Sequence, residues 1–340
     1  MVSTPEVSGD LLFIGSCAGV FYALDKNTGG VRWSYDAGKD QRKVGFHGNP
    51  IILDDLIVIG TDINEAPRGA GYVYAFERAS GKLRWRVAAG RGVASDIVRA
   101  GSSLYGVTLS DELVSIDPAT GSVSWAFSSR SGRGDRIPSA PVTAGGRVFY
   151  GDRDGGLYAL DSKTGRVDWK REFTTPVSTS LAVFGESVFL GAANHIYRIS
   201  QKTGAIEAHY LADGWSSARP VISGNSLLVF IGNTVASIDL SLNKINWRQK
   251  TSSRWTTPRP LIVGDVILAG TEIGEVVAFR ITDGSHRWSH KFSGTIRSIA
   301  NSGRVLYIGT REGTVYAYRA PDLGDKAPDG AAAAKSGAGL

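Results

Sequence analysis

Short hydrophobic runs with a period of two alternate along the chain with polar turns that contain glycine, asparagine or aspartate. A period of two is typical of β-strands, because successive side chains of a strand point to opposite faces of its sheet. The most hydrophobic runs recur eight times along the sequence, as LLFIGS, LIVIGT, SLYGVT, RVFYGD, SVFLGA, LLVFIG, VILAGT and VLYIGT. The pattern therefore predicts eight copies of one β unit.

The first half of each unit opens on a strand, which begins with an X-Pro pair in five copies, at Pro5, Pro50, Pro141, Pro220 and Pro260. A turn follows four residues after this opening, with glycine in seven copies and Asp54 in the second copy. Glycine and aspartate turns between alternating runs are typical of antiparallel hairpins. Each unit is therefore predicted to be a four-stranded antiparallel meander.

The second half of the unit repeats the pattern Ala-x-Asp-x-x-Thr-Gly-x-x-x-Trp, which first occurs at residues 23–33. The Thr-Gly pair supplies a positive-φ turn between the third and fourth strands. We expect the small first residue to leave room for the tryptophan, which packs against an adjacent sheet. The six tryptophans in this predicted docking position are Trp33, Trp85, Trp125, Trp169, Trp247 and Trp288.

A closed ring is the arrangement that such units favour, since one four-stranded sheet cannot bury both of its faces alone. The sequence therefore predicts an all-β protein, a single eight-bladed β-propeller spanning residues 1–319. The eighth unit lacks its outermost, tryptophan-bearing strand. Either native sequence upstream of Met1 is missing or the last blade is three-stranded. Residues 320–340 are small and polar without periodicity, which predicts a disordered Ala/Gly-rich tail.

Composition narrows the function classes. Among the 340 residues are 43 glycines and a single cysteine, and 42% of the residues are hydrophobic. One cysteine excludes a disulfide framework, a multi-thiolate zinc site and a cysteine-ligated iron–sulfur cluster. No apolar stretch approaches the roughly 18–20 residues of a spanning helix, so we expect no transmembrane segment.

The tryptophan-bearing pattern resembles the docking repeat of the pyrroloquinoline-quinone (PQQ) family of propellers, over roughly residues 3–319. A WD40 propeller has a similar period, but the sequence holds neither a Trp-Asp nor a Gly-His dipeptide. Quinoprotein dehydrogenases of the PQQ family typically carry an adjacent cysteine pair and a Glu/Asn/Asp set for calcium. With only Cys17, the resemblance implies the scaffold and not the redox chemistry, so we expect neither a cofactor nor a metal.

Cys17 and the histidines are predicted to be structural residues rather than parts of a chemical site. The segment Ile14-Gly15-Ser16-Cys17 mimics a lipoprotein cleavage site, but it belongs to the first repeat. We therefore interpret Cys17 as a small, half-buried residue of a hairpin. Of the five histidines, only His286 and His290 are near each other, and we interpret them as surface residues.

Charge is uneven among the loops that join one blade to the next, which lie on one face of a propeller. The first three carry seven basic and three acidic residues, or +4 of the chain's net charge of +6. Later loops on this face carry tryptophan and arginine, which are enriched at binding hot spots. The predicted binding face comprises Arg42, Lys43, Arg91, Arg133, Arg136, Trp215, Arg254 and Trp255. The alternative is a solvated basic rim with the tryptophans folded into the channel.

The predicted function is a non-catalytic interaction scaffold with no catalytic residues. Within the PQQ-like family the chain resembles the propeller lipoprotein of the outer-membrane β-barrel assembly machinery. That resemblance implies a bacterial cell envelope setting, in the periplasm. From the sequence itself we expect no targeting segment in this chain. We expect an acidic protein partner and no nucleic acid, because aspartates interrupt the basic residues. A PQQ-dependent dehydrogenase-like enzyme and a ligand-sensing propeller domain of a larger protein remain as alternatives.

Overall fold

The computed structural model describes residues 3–40, 44–63, 71–129, 139–177, 180–216, 218–257 and 259–321. Within these ranges, seven four-stranded antiparallel sheets and one three-stranded sheet follow one another along the chain. The innermost strand of the last sheet contacts that of the first, which closes the ring. The architecture is the predicted eight-bladed propeller, with a three-stranded last blade. The predicted tail lies outside the described residues from residue 322 onward.

The first four blades have these strands. Blade 1 has β1 Glu6–Ser8, β2 Leu11–Gly15, β3 Val20–Asp25 and β4 Val31–Asp36, and a 3-10 turn Ala37–Asp40 and β5 Val44–Gly45 follow it. Blade 2 has β6 Ile51–Leu53, β7 Leu56–Gly60, β9 Tyr72–Glu77 and β10 Leu83–Ala88, with β8 Asp62–Ile63 between β7 and β9. Blade 3 has β11 Val98–Ala100, β12 Ser103–Val107, β13 Glu112–Ile116 and β14 Val123–Ser128. Blade 4 has β15 Val142–Ala144, β16 Arg147–Gly151, β17 Gly156–Asp161 and β18 Val167–Glu172.

The remaining blades continue in the same order. Blade 5 has β19 Ala182–Phe184, β20 Ser187–Ala192, β21 His195–Ser200 and β22 Ile206–Leu211. Blade 6 has β23 Val221–Ser223, β24 Ser226–Ile231, β25 Thr234–Asp239 and β26 Ile245–Lys250. Blade 7 has β27 Leu261–Val263, β28 Val266–Gly270, β29 Glu275–Arg280 and β30 His286–Lys291. Blade 8 has β31 Ile296–Ser302, β32 Val305–Thr310 and β33 Val315–Arg319.

Tryptophans of the fourth strands lie against the next blade. In blade 4, Trp169 pairs across the hairpin with Ala159, whose small side chain leaves room for the indole. The indole N–H donates to the Gln201 carbonyl of blade 5 at 2.9 Å. A Cβ on Gly204, in the third-to-fourth turn of blade 5, would come within 2.6 Å of the ring. The same arrangement holds for Trp33, Trp85, Trp125 and Trp247.

Blade 5 has no tryptophan, and its hairpin exchanges the sizes of the paired residues. Arg198 stands where other blades have Ala or Ser, and Ala208 stands opposite it in the tryptophan position. The Arg198 guanidinium donates to the Leu240 carbonyl of blade 6 at 3.2 Å, which replaces the missing indole N–H. A large and a small side chain therefore fill this interface in exchanged positions.

The turn glycines provide a direct stability test. Gly165 has φ 70°, and a Cβ added to it would lie 2.6 Å from the Trp125 ring. Gly101 has φ 58°, and a Cβ there would meet open space. Alanine in the left-handed region costs about 1–2 kcal/mol at either position. We expect Gly165→Ala to lower the free energy of unfolding by about 1–3 kcal/mol more than Gly101→Ala, because it also overpacks the indole. Urea unfolding of the two variants measures this difference, and equal losses would contradict the docking role of the glycine.

Candidate interaction face

One face of the propeller carries the second-to-third-strand turns together with the connections between blades. The antiparallel order within each sheet brings both kinds of segment to the same edge. Contacts join them: the Leu109 N–H donates to the Gly92 carbonyl at 2.8 Å, and the Glu272 N–H donates to the Arg254 carbonyl at 3.0 Å. We call this surface the loop face.

Three of the predicted binding residues are exposed on the loop face. Arg91 and Arg254 are exposed, and the side chain of Trp215 is 55% exposed. The connections that hold Trp215 and Arg254 both contact the second-to-third turn of blade 6, since Ser216 forms a bridge with Ile231 and the Trp255 N–H donates to the Gly232 carbonyl at 3.2 Å. Trp215 and Arg254 therefore flank one turn.

Trp255 has a different position from Trp215. It is 4% exposed and packs edge-on against Phe230 and Phe279, with ring centroids 5.3 and 6.3 Å apart. Its indole thus belongs to the core between blades 6 and 7 rather than to the loop face, and we leave it out of the proposed surface. The other predicted binding residues lie outside the described part of the chain: Arg42, Lys43, Arg133 and Arg136.

Acidic groups also occur on the loop face, and Glu272 and Glu312 are two examples that accept hydrogen bonds from neighbouring loops. A Glu272 carboxylate oxygen accepts from the Ser253 hydroxyl at 3.3 Å. A Glu312 oxygen accepts from the Thr295 N–H at 3.0 Å. These carboxylates support the local loops, whereas the exposed Arg91 and Arg254 side chains have no ion pair among the described residues.

The channel mouth contains a charged cluster that the sequence did not reveal. Asp96 lies 3.5 Å from the Arg259 guanidinium and 4.0 Å from that of Arg219, and it accepts a hydrogen bond from Asn49. A cavity of about 400 Å³ lies beside these groups. Burial raises the pKa of the nearby Glu6 carboxyl, although the charge of Arg259 opposes this shift. The Asp96 carboxylate, just before blade 3, thus faces two guanidinium groups from the starts of blades 6 and 7.

A buried ion pair fixes the loop face between blades 3 and 4. The Arg153 guanidinium donates to one Asp111 oxygen at 2.6 and 2.8 Å and to the Leu109 carbonyl at 3.0 Å. The two side chains are 6% and 0% exposed. Arg153 occupies the hairpin position that Cys17 has in blade 1, and here it joins the turns of neighbouring blades.

The positions of the histidines agree only in part with the sequence interpretation. His286 and His290 are exposed on the outer strand of blade 7, as the sequence indicates. His195 and His209, however, lie on paired strands with ring centroids 5.6 Å apart, so the interpretation that only one pair is close was wrong. Strand pairing brought them together across a hairpin. Among the described residues, no group of three or more His, Cys, Asp or Glu side chains is arranged to hold a metal.

The sequence of this chain matches a known protein family. The family model described as outer membrane protein assembly factor BamB matches residues 1–66, 69–254 and 129–322. The chain belongs to this BamB family. The predicted PQQ-like, outer-membrane-assembly resemblance is thereby confirmed.

Relatives and solved structures agree with the family. BamB of Legionella pneumophila is 28% identical over 194 residues, which cover 55% of this chain and 47% of that protein. BamB of Burkholderia pseudomallei is 23% identical over 93% of this chain and 84% of its own length. A quinohemoprotein alcohol dehydrogenase of Pseudomonas putida is 26% identical, but only 36% of its length is covered. The BamB crystal structure from Moraxella catarrhalis superposes with a TM-score of 0.75 at 17% identity, over 92% of this chain and 94% of that one.

The fold likeness supports the predicted ring of eight blades, and of the two alternatives for the last blade the structure has the three-stranded one. The chain spans about half the length of the Legionella BamB and most of the Burkholderia BamB. In the described part of the chain, no helix is both long enough and apolar enough to cross a membrane.

Proposed function

We propose that this chain is a protein-interaction scaffold for the assembly of outer-membrane proteins in the bacterial cell envelope. The observation that carries the proposal is its membership of the BamB family over most of its length. Relatives named as outer membrane protein assembly factors match up to 93% of the chain. The periplasmic side of the outer membrane is the corresponding location.

The loop face is the surface that we assign to partner binding. It presents the exposed Trp215 beside the blade 6 turn, with Arg254 on the other side of that turn and Arg91 on blade 2. An exposed indole offers a large rigid contact area, and arginines offer charge-assisted hydrogen bonds to carboxylates. These groups fit an acidic protein partner.

A charge-reversal experiment tests this assignment. Tagged protein is recovered from membranes of the source bacterium, and the co-purified outer-membrane and assembly proteins are quantified by mass spectrometry. We expect Arg91→Glu/Arg254→Glu to recover at least tenfold less of these proteins, because the face then repels acidic partners. The matched control is Lys82→Glu/Arg166→Glu, which makes the same charge change in exposed third-to-fourth turns at the opposite edge of the blades. Equal recovery by both double variants would remove the loop face from the proposal.

Trp215 is expected to contribute most of the apolar contact. We predict that Trp215→Ala weakens partner binding by about 2 kcal/mol, or about 30-fold, as is typical of an interface hot spot. The melting temperature should stay within about 2 °C of the parent, since the side chain is 55% exposed and packs little in the free protein. Binding titration of the purified partner with both proteins measures the change, and an unchanged dissociation constant would contradict the prediction.

A further inference from the structure

Three chemically active side chains from two blades meet on the loop face. Cys17 lies in the second-to-third turn of blade 1, His47 follows β5 in the connection to blade 2, and Asp62 begins β8. The interpretation of Cys17 as a half-buried hairpin residue agrees with its position, but its neighbours give it a chemical setting that the repeat pattern does not show. Cys17, His47 and Asp62 are called the thiol cluster below.

The backbone around the thiol cluster holds its members together. Strands β5 and β8 pair so that Gly45, which is two residues before His47, lies opposite Asp62. The Phe46 N–H donates to the Ser16 carbonyl at 3.0 Å, which ties the connection to the turn that holds Cys17. These two contacts place the chain just before His47 between the turn that holds Cys17 and the strand that holds Asp62.

Gly45 leaves space for the imidazole. A Cβ at this position would come within 2.6 Å of His47 Cε1 and about 3 Å of both ring nitrogens. Any larger residue would displace the ring. The position of His47 therefore depends on a close backbone approach that only glycine permits.

The imidazole is oriented by Asp62. His47 Nδ1 lies 2.7 and 2.8 Å from the two Asp62 carboxylate oxygens. The His47 side chain is only 10% exposed, and its Nε2 is buried. A histidine held through Nδ1 by a carboxylate keeps Nε2 available for proton transfer, as in nucleophile–histidine–carboxylate sites.

Thiol and imidazole affect each other's ionisation. Burial raises the pKa of the Cys17 thiol, but hydrogen bonds and nearby positive charge, with His47 among the sources, outweigh burial and lower it. Burial lowers the pKa of His47, but Asp62 and Cys17 together outweigh burial, so that the net shift of the pKa is upward. Both directions favour a thiolate beside an imidazolium.

We propose that the thiol cluster is a site of reversible thiol–disulfide exchange, at which Cys17 attacks low-molecular-weight disulfides. The Cys17 thiolate attacks one sulfur of the disulfide, a new S–S bond forms, and the other sulfur leaves as a thiolate that takes up a proton. His47 accepts the Cys17 proton and can return it to the leaving thiolate. Asp62 acts through His47 as a positioning residue. The inference goes beyond the proposed scaffold function and does not depend on it.

Position and chemistry favour a disulfide as the reactant. Cys17 is partly exposed in a surface turn, so a small molecule can reach the sulfur. The thiol cluster is not arranged as a metal site. A thiolate beside an imidazolium is the form that reacts with disulfides, and such thiols exchange much faster than unactivated cysteines near neutral pH.

The test measures the modification of the intact protein by oxidised glutathione. Mass spectrometry follows the gain of one glutathionyl group at pH 7, and iodoacetamide alkylation across pH 5–10 reports the thiol titration. We expect the parent curve to reach half its maximum below about 8.5, the value of a free cysteine. His47→Gln should slow glutathionylation about tenfold and move the alkylation curve up towards that value.

Further variants distinguish the loss of the His47 orientation from a general loss of structure. Asp62→Asn and Gly45→Ala should each slow the exchange, because the first weakens the orientation of the imidazole and the second displaces it. His290→Gln, on an exposed strand of blade 7, is the matched control and should react like the parent. A parent thiol that titrates like free cysteine overturns the proposal, and this measurement needs no variant to fold. Unchanged rates in His47→Gln and Asp62→Asn would also overturn it.

Discussion

Replacing the partly buried Trp169 with alanine will lower the free energy of unfolding by about 3–5 kcal/mol, the range for removing a large aromatic side chain packed against a core. The indole fills the interface between blades 4 and 5, with Phe149 at a ring-centroid distance of 5.9 Å and the Gly204 turn beneath it. The variant also leaves the Gln201 carbonyl without the indole N–H that it accepts at 2.9 Å. Urea denaturation followed by fluorescence measures the loss.

Trp215→Ala is the control for this experiment, since it removes an equally large side chain that is 55% exposed. We expect it to cost less than about 1 kcal/mol. A loss below 1 kcal/mol for Trp169→Ala would mean that the blades are not held together by the docked indoles.

Breaking the buried ion pair on the loop face will be comparably destabilising. Arg153→Met leaves the fully buried Asp111 carboxylate without the guanidinium that it contacts at 2.6 Å. We expect a loss of about 3–5 kcal/mol in the free energy of unfolding, because a carboxylate in the interior loses its guanidinium partner. Thermal and urea unfolding measure the loss.

A second substitution shows whether the negative charge of Asp111 causes this loss. Asp111 has φ 56°, a conformation that asparagine tolerates, so Asp111→Asn removes the charge without new backbone strain. The double variant Arg153→Met/Asp111→Asn should therefore be more stable than Arg153→Met alone. Arg147→Met, which breaks a 2.6 Å pair with Asp168 at the surface, should cost no more than about 1 kcal/mol. Equal losses at the buried and exposed pairs would contradict the prediction.

The number and order of the blades could be predicted because the information is local. Each copy carries its own strand alternation, turn residues and tryptophan within some forty residues, and repetition makes a weak signal strong. Asp54 illustrates this, since the repeat alignment placed it at a glycine position and it has φ 50° in the structure.

Interactions between repeats could not be predicted in the same way. Arg198 and Ala208 depart from the repeat pattern in the sequence, and the structure shows that they are an exchange of large and small partners across one hairpin. Trp215 and Trp255 occupy similar loops, yet only Trp255 turns inward onto Phe230. Such choices depend on the shape of the neighbouring blade.

The thiol cluster could not be predicted from the sequence either. Cys17, His47 and Asp62 are separated by 30 and 15 positions, and no spacing motif links them. Their proximity depends on the β5–β8 pairing and on the bond from Phe46 to Ser16. These short elements interrupt the repeat, so the alignment of repeats passes over them. Extra strands in a connection between blades are the signal that would draw attention to such a site.

Complementation in the source bacterium tests the scaffold account most directly. The gene is deleted, and the amount of folded β-barrel protein in isolated outer membranes is measured after return of the parent, the Arg91→Glu/Arg254→Glu variant or the Lys82→Glu/Arg166→Glu control. The account predicts that deletion depletes folded barrels and that the parent and the control restore them, while the loop-face variant does not. Undiminished barrels after deletion would contradict a role in outer-membrane assembly, and full rescue by the loop-face variant would contradict the assigned surface.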